Sequence, residues 1–322
     1  MNNSAGVVLA ASAILYGTPL LYAALGELLA ERSGVLNLGV QGMMLVGAAM
    51  GFWAVQRIDV GSAAALVAAI GVAAFAGLVM AAILGFLVIT LRASQIVAGL
   101  ALTIFAGAAG LSSYLGNDLN LADNPARHQF GTVFPASWRN WSIVGPILFG
   151  QNLLVYASWA LVLATALYLA RTRPGLNVRA VGESPAAADA MGINVAAYRY
   201  LHVLAGGALA GIGGACFSLA ITPQWVPGDE MIEGGAGWIA IALVIFAFRR
   251  PDLLLVGAYL FGAFSYLPFL LQSRGVTVAP ELFQALPYVM TVLVLVLVST
   301  GLARRRLGAP AALGLPYVRE ER

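Results

Sequence analysis

The sequence predicts an all-α, polytopic membrane protein with about nine transmembrane helices, and roughly eight to ten are compatible with its length. Of the 322 residues, 61% are hydrophobic and only 10% are charged. The hydrophobic residues form long uninterrupted blocks, whereas the helices of a soluble protein carry apolar and polar residues on opposite faces. One span needs about 20 apolar residues, so the spans leave no room for a large soluble domain.

Nine apolar runs, separated by clusters of Gly, Pro and polar residues, are the basis of this count. They cover approximately residues 5–29, 38–56, 62–91, 94–115, 148–170, 200–221, 236–248, 252–272 and 283–303. The first run exceeds the apolar core of a signal peptide and follows no basic segment, so we expect a retained span. The run 236–248 is short for a full crossing and is expected to use flanking glycines or to tilt into the bundle. We treat residues 1–322 as a single transmembrane domain.

The arginines predict the orientation of these spans. Counted over alternate connections, 13 of the 17 arginines fall on one side. The larger group is Arg32, Arg92, Arg171, Arg173, Arg179, Arg199, Arg249, Arg250, Arg304, Arg305, Arg306, Arg319 and Arg322. Because basic residues accumulate in cytoplasmic loops, this side is predicted to be cytoplasmic, with the N-terminus outside and the C-terminus inside. Residues 171–200 then form a cytoplasmic loop and residues 304–322 a cytoplasmic tail.

The charged residues also exclude or disfavour several functions. Every basic residue is arginine, so the phosphate-binding pattern G-x-x-x-x-G-K-[ST] is absent and we expect no ATPase site and no enzymatic activity. Residues 94–117 and 253–273 contain no charged residue, although ion-driven carriers keep carboxylates within their spans. An ion-coupled secondary carrier therefore stays open only as an alternative. No metal site, cofactor or nucleic-acid-binding feature is predicted.

A short helix is predicted inside the loop 171–200. Ser184 is a suitable N-cap, Pro185 suits the first helical position and Gly192 suits the C-terminal end. The helix has two interpretations, an ordinary capped connection or a rigid projection that docks into another protein. Because the chain has no energy source of its own, we favour docking.

The segment 31–42, ERSGVLNLGVQG, is predicted to interrupt regular helix, because three glycines and an asparagine fall within nine residues. Asn37 and Gln41 are four residues apart and would share one face if the helix persisted. Broken helices within a membrane line cavities in many transporters. The two amides would bind an uncharged solute, or they would bond a neighbouring helix, and both interpretations stay open.

Small residues recur at four-residue steps along three runs and predict close helix packing. They are Gly47 and Gly51, then Gly77, Ala81 and Gly85, then Gly207, Gly211 and Ala215.

At this point the sequence resembles a known family. Residues 31–47, ERSGVLNLGVQGMMLVG, are similar to the signature ERxGvxNlGxEGmmlxG of permease subunits in the basic-membrane-protein branch of ABC importers, which is associated with nucleosides and simple sugars and related to branched-chain amino acid and ribose permeases. Residues 179–192, RAVGESPAAADAMG, resemble the cytoplasmic coupling segment of that family. The glycine-rich residues 206–215, the sequence GWIA at 237–240 and LPY at 286–288 extend the resemblance over about residues 20–300.

The resemblance implies an ABC importer permease fold and a multi-pass subunit of the bacterial inner membrane, surrounded by lipid. Expected partners are a second permease, usually a different chain, a double-cassette ATPase that binds ATP and Mg²⁺, and an external substrate-binding lipoprotein. The implied substrate is a nucleoside. Simple sugars, branched-chain amino acids or a flavin are the alternatives on the same architecture. Gln41 stands where the signature has an acidic residue, which points to a different or less basic ligand.

Two groups of candidate functional residues follow. The hypothesised substrate pathway comprises Asn37, Gln41, Gln95 and Tyr288. The residues expected to couple the chain to an ATPase are Arg179, Glu183, Ser184, Pro185, Ala187, Asp189 and Gly192. No catalytic residue is expected.

Overall fold

The computed structural model describes residues 5–58, 61–107, 110–123, 126–226, 235–275 and 309–319, together with residues 289, 292 and 296. Within these residues the regular structure is helical, and the only β-type pairing is an isolated bridge between Thr132 and Asn152. The predicted all-α class is thereby confirmed for the described part of the chain.

Twelve α-helices have both ends within these residues, and residues 289, 292 and 296 are also helical. The twelve helices are α1 (Ala5–Arg32), α2 (Val40–Arg57), α3 (Ser62–Gly85), α4 (Gln95–Ala106), α5 (Leu111–Asp118), α6 (Ala136–Arg139), α7 (Leu153–Arg171), α8 (Arg173–Glu183), α9 (Pro185–Ala190), α10 (Val195–Cys216), α11 (Ala236–Phe246) and α12 (Pro251–Gln272). Short π-helical turns extend α3 through Thr90 and α10 through Ile221.

The described residues test the predicted number of spans only in part. Six stretches are long and apolar enough to cross a membrane: Ala5–Arg32, Ser62–Thr90, Gln95–Asp118 (of which residues 108–109 are not described), Leu153–Arg171, Val195–Ile221 and Pro251–Gln272. The run predicted at 38–56 is helical as α2, but its polar ends keep it out of this group, and α11 is too short. The run 283–303 lies outside the described residues except at 289, 292 and 296. The protein is polytopic, but nine spans are not established.

The centre of the bundle is built on contacts between small residues of α1, α2, α3 and α10. A Cβ added to Gly47 would lie 2.5 Å from the backbone of Gly211, and a Cβ on Gly77 would overlap the carbonyl oxygen of Gly207. Since these backbones touch directly, larger side chains are excluded and dispersion contacts replace the hydrophobic drive that lipid does not supply. The predicted packing role of the four-residue glycine steps is confirmed.

The described contacts place most arginine-bearing connections at one end of the bundle. At this end the hydroxyl groups of Thr90 and Tyr200 are 2.6 Å apart, joining the end of the α3 stretch to the beginning of α10. At the opposite end the Gln151 side chain donates to the carbonyl of Ala11. We call the first end, where α1 terminates and α10 begins, the arginine-rich end. Its assignment to the cytoplasm rests on the positive-inside rule.

Candidate functional site

Two consecutive short helices project at the arginine-rich end. The Thr172 hydroxyl accepts a hydrogen bond from Gly175 N at 3.0 Å and caps α8. The Ser184 hydroxyl accepts one from Ala187 N at 3.4 Å and caps α9, which ends before Gly192, a residue with φ of +83°. Glycine tolerates this left-handed backbone without steric cost. The helix predicted from the Ser-Pro-Gly pattern is confirmed as α9, whereas α8 was not predicted.

The exposed surface of α8 and α9 combines basic and apolar side chains. Arg179, Glu183, Ser184 and Ala187 are exposed, Pro185 is half-buried, and Asp189 is largely covered. Met191, which follows α9, is 82% exposed, and Leu176 of α8 is 58% exposed. Apolar side chains bordered by charged groups are typical of protein-binding surfaces. The predicted coupling residues therefore lie together on one projecting surface, and their role stays a prediction.

A cleft of about 360 Å³ adjoins this surface, between the end of α1, α8 and the C-terminal segment. Its lining is Arg32, Leu176, Arg179, Ala180, Glu183 and Pro310. The cleft lies beside the point where Gly182 of α8 contacts the backbone of Arg32, so closely that a Cβ on Gly182 would overlap the Arg32 carbonyl oxygen.

The predicted interruption between the first two helices is present, because α1 ends at Arg32 and α2 begins at Val40. Gly34 in this connection has φ of +88°, and a Cβ there would lie 3.2 Å from Arg199 Nη2. The backbone conformation favours glycine at this position, and the guanidinium leaves little room for a larger residue. We call residues 33–39 the α1–α2 loop.

Buried polar side chains hold the α1–α2 loop. Asn37 N donates to Glu27 Oε1 at 3.0 Å, and Gly39 N donates to Asn37 Oδ1 at 2.9 Å. Leu36 N donates to Gln95 Oε1 at 2.7 Å. The structure thus brings together the predicted pathway residues Asn37 and Gln95.

Gln41 does not share a helix face with Asn37, as it would in a continuous helix. The helix is broken before α2, so Asn37 lies in the loop while Gln41 lies in the first turn of α2. Gln41 Oε1 accepts a hydrogen bond of 2.7 Å from Gly237 N at the beginning of α11. Of the two interpretations, the structure shows hydrogen bonding to a neighbouring helix for the side-chain oxygen of Gln41. The fourth predicted pathway residue, Tyr288, lies outside the described residues.

Several buried polar atoms beside the loop have no hydrogen-bond partner. They are Glu27 Oε2, Glu31 Oε1, Arg32 Nε, Gln95 Nε2, and Nε and Nη2 of Arg199. A buried polar group without a partner is costly, and each such group in a native structure calls for an explanation such as a transient ligand. Among them, Gln95 Nε2 is a neutral donor, and a hydroxyl group is able to accept a hydrogen bond from it.

A buried ion pair was missed by the sequence analysis. Arg249 Nε lies 2.5 Å from Glu31 Oε2, and the two side chains are 6% and 1% exposed. Arg32 Nη2 donates to the Arg249 carbonyl at 2.8 Å. Phe248 and Arg249 both have positive φ, which a non-glycine residue adopts only when its surroundings hold it there. The sequence did contain a signal for this pair. Glu31 and Arg249 carry opposite charges and lie at the ends of apolar runs that were predicted to end on the same side of the membrane.

The amide of Gln41 gives a direct test of its bond to α11. Gln41→Leu is expected to lower the free energy of unfolding by about 1–3 kcal/mol, because Gly237 N is left buried and unpaired. Gln41→Glu is the matched control, since a carboxylate oxygen accepts the same bond at a helix N-terminus, where negative charge is favoured. Thermal unfolding in detergent measures both, and equal losses would contradict this role for the acceptor oxygen.

Groups of three or more His, Cys, Asp or Glu that could bind a metal ion are absent from the described residues. The single cysteine, Cys216, is buried and free.

Comparisons with known proteins match nearly the whole chain. The model of the family described as branched-chain amino acid transport system / permease component matches residues 9–295. The chain is 37% identical to the putative glucose ABC transporter permease protein TsgC13 of Haloferax volcanii, over 94% of this chain and 95% of the relative. It is 32% identical to the nucleoside ABC transporter permease protein NupC of Lactococcus lactis, over 98% of both chains. It is also 32% identical to the guanosine ABC transporter permease protein NupQ of Bacillus subtilis, again over 98% of both chains. A weaker similarity, 27% over 70% of this chain and 63% of the relative, links it to a second Lactococcus nucleoside permease, NupB.

Proposed function

The chain belongs to the ABC transporter permease family represented by the branched-chain amino acid transport system, and from this premise we propose that it is the transmembrane permease subunit of an ATP-driven importer. In this proposal an external binding protein delivers a nucleoside, which crosses between two permeases of the bacterial inner membrane. ATP binding and hydrolysis by a partner subunit favour alternate states of the permease pair. The chain itself makes no covalent chemistry.

The observation that carries the proposal is the projecting α8–α9 pair. Thr172 caps the N-terminus of α8 and Ser184 caps that of α9. The side chains of Leu176 and Met191 are exposed to solvent at the arginine-rich end. A rigid projection with exposed apolar side chains supports docking in a groove of a double-cassette ATPase. Movement of that groove would displace α9 relative to the spans.

The Gln95 amide and the names of the relatives support an uncharged, hydroxylated substrate. Beside the α1–α2 loop the unpaired Nε2 of Gln95 is a neutral hydrogen-bond donor. Relatives named for nucleosides and for guanosine support a nucleoside as the first choice. The greater identity to a relative named as a putative glucose permease supports a simple sugar as the second. Nucleosides and sugars share the hydroxylated ring that such a donor binds.

The proposed assembly contains a second, different permease. The Lactococcus relatives NupC and NupB are two permease proteins of one organism, both named for nucleosides, and this chain resembles NupC more closely. The two relatives support an assembly of two different permease subunits, in which this chain takes the position of the NupC-like subunit. A double-cassette ATPase and a substrate-binding lipoprotein complete the proposal.

Transport assays test the proposed function directly. The chain is co-expressed with a partner permease, a double-cassette ATPase and a substrate-binding lipoprotein, purified and placed in liposomes. Uptake of labelled guanosine, glucose and leucine is then measured with and without ATP. We expect ATP-dependent guanosine uptake that requires every subunit. Accumulation by the isolated chain under a proton or sodium gradient would instead identify an ion-coupled carrier, for which Glu27 is the candidate carboxylate.

Gln95 is the pathway residue with the clearest prediction. Its unpaired Nε2 is expected to donate to a ribose hydroxyl, so a dideoxynucleoside should be transported about two- to tenfold less efficiently than the nucleoside, the value of one neutral hydrogen bond. Gln95→Met should remove this discrimination. Retained discrimination in the methionine variant would contradict the contact, whatever the effect of the substitution on protein yield.

A further inference from the structure

The C-terminal segment 309–319 lies across the projecting helices at the arginine-rich end. Ala312 N donates to the carbonyl of Gly182 in α8 at 3.0 Å. Gly314 N donates to the carbonyl of Gly34 at 3.3 Å. One short segment therefore joins α8 to the α1–α2 loop, two elements that are far apart in the sequence.

Two side chains extend this attachment to α9 and α10. Arg319 Nε lies 3.2 Å from Asp189 Oδ2 of α9. Arg199 of α10 is only 2% exposed, and its Nη1 donates to the Leu315 carbonyl at 3.2 Å. The guanidinium of Arg199 is thereby held between the bundle and the C-terminal segment, beside Gly34 of the loop.

An apolar contact completes the attachment. Tyr317 packs against a small cluster formed by Val181 of α8, Ala188 of α9 and Val195 of α10. Ala188 is the buried residue of α9, so this cluster is where α9 is held against the rest of the protein. Tyr317 covers that contact from the outer side.

We propose that residues 309–319 form a C-terminal strap that positions α9 and passes its displacement to the α1–α2 loop. An isolated helix as short as α9 is not stable, so its position depends on tertiary contacts, and the strap supplies several of them. Because the strap bonds α8, α9, α10 and the loop together, these parts move as one unit. The inference rests on the proposed function, in which an ATPase displaces α9.

Tyr317 gives a matched pair of variants for this test. Its hydroxyl is buried without a hydrogen-bond partner, so Tyr317→Phe loses no bond and is expected to transport like the wild type. Tyr317→Ala removes the packing, and we expect substrate-stimulated ATPase activity and uptake per inserted transporter to fall at least about fivefold, the lower end of allosteric coupling. Binding of the ATPase subunit should persist. An alanine variant with wild-type uptake would overturn the proposal.

Deletion of the strap is the second arm. A chain ending at Gly308 is compared with one that lacks only residues 320–322 and keeps the strap. We expect the first to insert and bind the ATPase subunit but to lose uptake, and the second to match the full chain. Equal uptake by both truncations would overturn the proposal.

Cross-linking tests whether α9 and the strap move together. The chain has one cysteine, the buried Cys216, so Asp189→Cys with Arg319→Cys gives a clean background. Because both substitutions alter the coupling surface or the strap, uptake after cross-linking is compared with uptake by the same double-cysteine variant before it, and we expect the two to be equal. Uptake lost on cross-linking and restored by cleaving the linker would show that α9 separates from the strap during transport, contrary to the proposal.

These outcomes are distinct from a failure of the proposed function. Wild-type transporter without ATP-dependent uptake would refute the function itself. Normal wild-type uptake together with a normal Tyr317→Ala variant would refute only the strap.

Discussion

Replacement of residues 185–192 by a Gly/Ser linker of equal length is expected to abolish uptake and substrate-stimulated ATPase activity while the chain still inserts in the membrane. The linker removes α9, because Pro185 and the alanines that follow it are replaced by glycine and serine, which are poorer helix formers than alanine. The spans are unaffected, since Ala188 is the buried residue of α9. Uptake, ATPase stimulation and co-purification of the ATPase subunit are the measurements.

The matched control is the same replacement at α6, residues Ala136–Arg139, another short exposed helix. α6 precedes the π-helical turn Gly145–Phe149, and Gln151 just beyond that turn bonds Ala11, so α6 lies at the end of the bundle opposite α9. The α6 variant should bind the ATPase subunit like the wild type. Normal ATPase stimulation in the α9 variant would refute docking by this helix.

The second large effect is expected from Arg249→Met. The substitution leaves Glu31 as a buried carboxylate without its ion-pair partner, and breaking such a pair costs about 3–5 kcal/mol. We expect a markedly lower unfolding temperature in detergent and little transporter in the membrane. The double variant Arg249→Met with Glu31→Gln should regain much of this loss, because no uncompensated charge remains.

Arg250→Met is the matched control for this prediction. Arg250 is the next residue, but its ion pair with Asp252 is exposed, with side chains 61% and 58% accessible. Exposed pairs of this kind contribute little to stability, so the control should unfold like the wild type. Equal unfolding temperatures for the two single variants would contradict a structural role for the buried pair.

The Glu31–Arg249 pair also bears on the proposed mechanism. It ties the end of α1 to the connection between α11 and α12, and Arg32 binds the same connection through the Arg249 carbonyl. The α1–α2 loop, which carries Asn37, begins directly after Arg32. The loop is therefore anchored on one side by this pair and on the other by the strap at Gly34.

Features that depend on near neighbours were predictable from the sequence. The apolar runs predict membrane helices because burial of side chains in lipid depends on composition over about 20 residues. Ser184, Pro185 and Gly192 predict the limits of α9 because capping bonds span only three or four residues. The glycines within 31–42 predict the break between α1 and α2 for the same local reason.

Predictions that needed the relative position of helices were less complete. The sequence left open whether the amides of Asn37 and Gln41 bind a solute or a neighbouring helix. In the structure Asn37 lies in the loop, and Gln41 Oε1 accepts a hydrogen bond from Gly237 N of α11. The run 94–115 is interrupted, with α4 ending at Ala106 and α5 beginning at Leu111. The bond between Gln41 and Gly237 joins helices that are far apart in the sequence, so no local pattern indicates it.

The sequence by itself determined that this protein is helical, embedded in a membrane and without a lysine-containing phosphate-binding loop. It also determined where one rigid, capped helix projects. Only the tertiary structure decided what each buried polar group bonds to. Glu31 and Arg249 are 218 positions apart, and Gln41 and Gly237 are 196 apart. Such pairs depend on which helix ends meet across the bundle, and that arrangement is set by packing of the whole chain rather than by neighbouring residues.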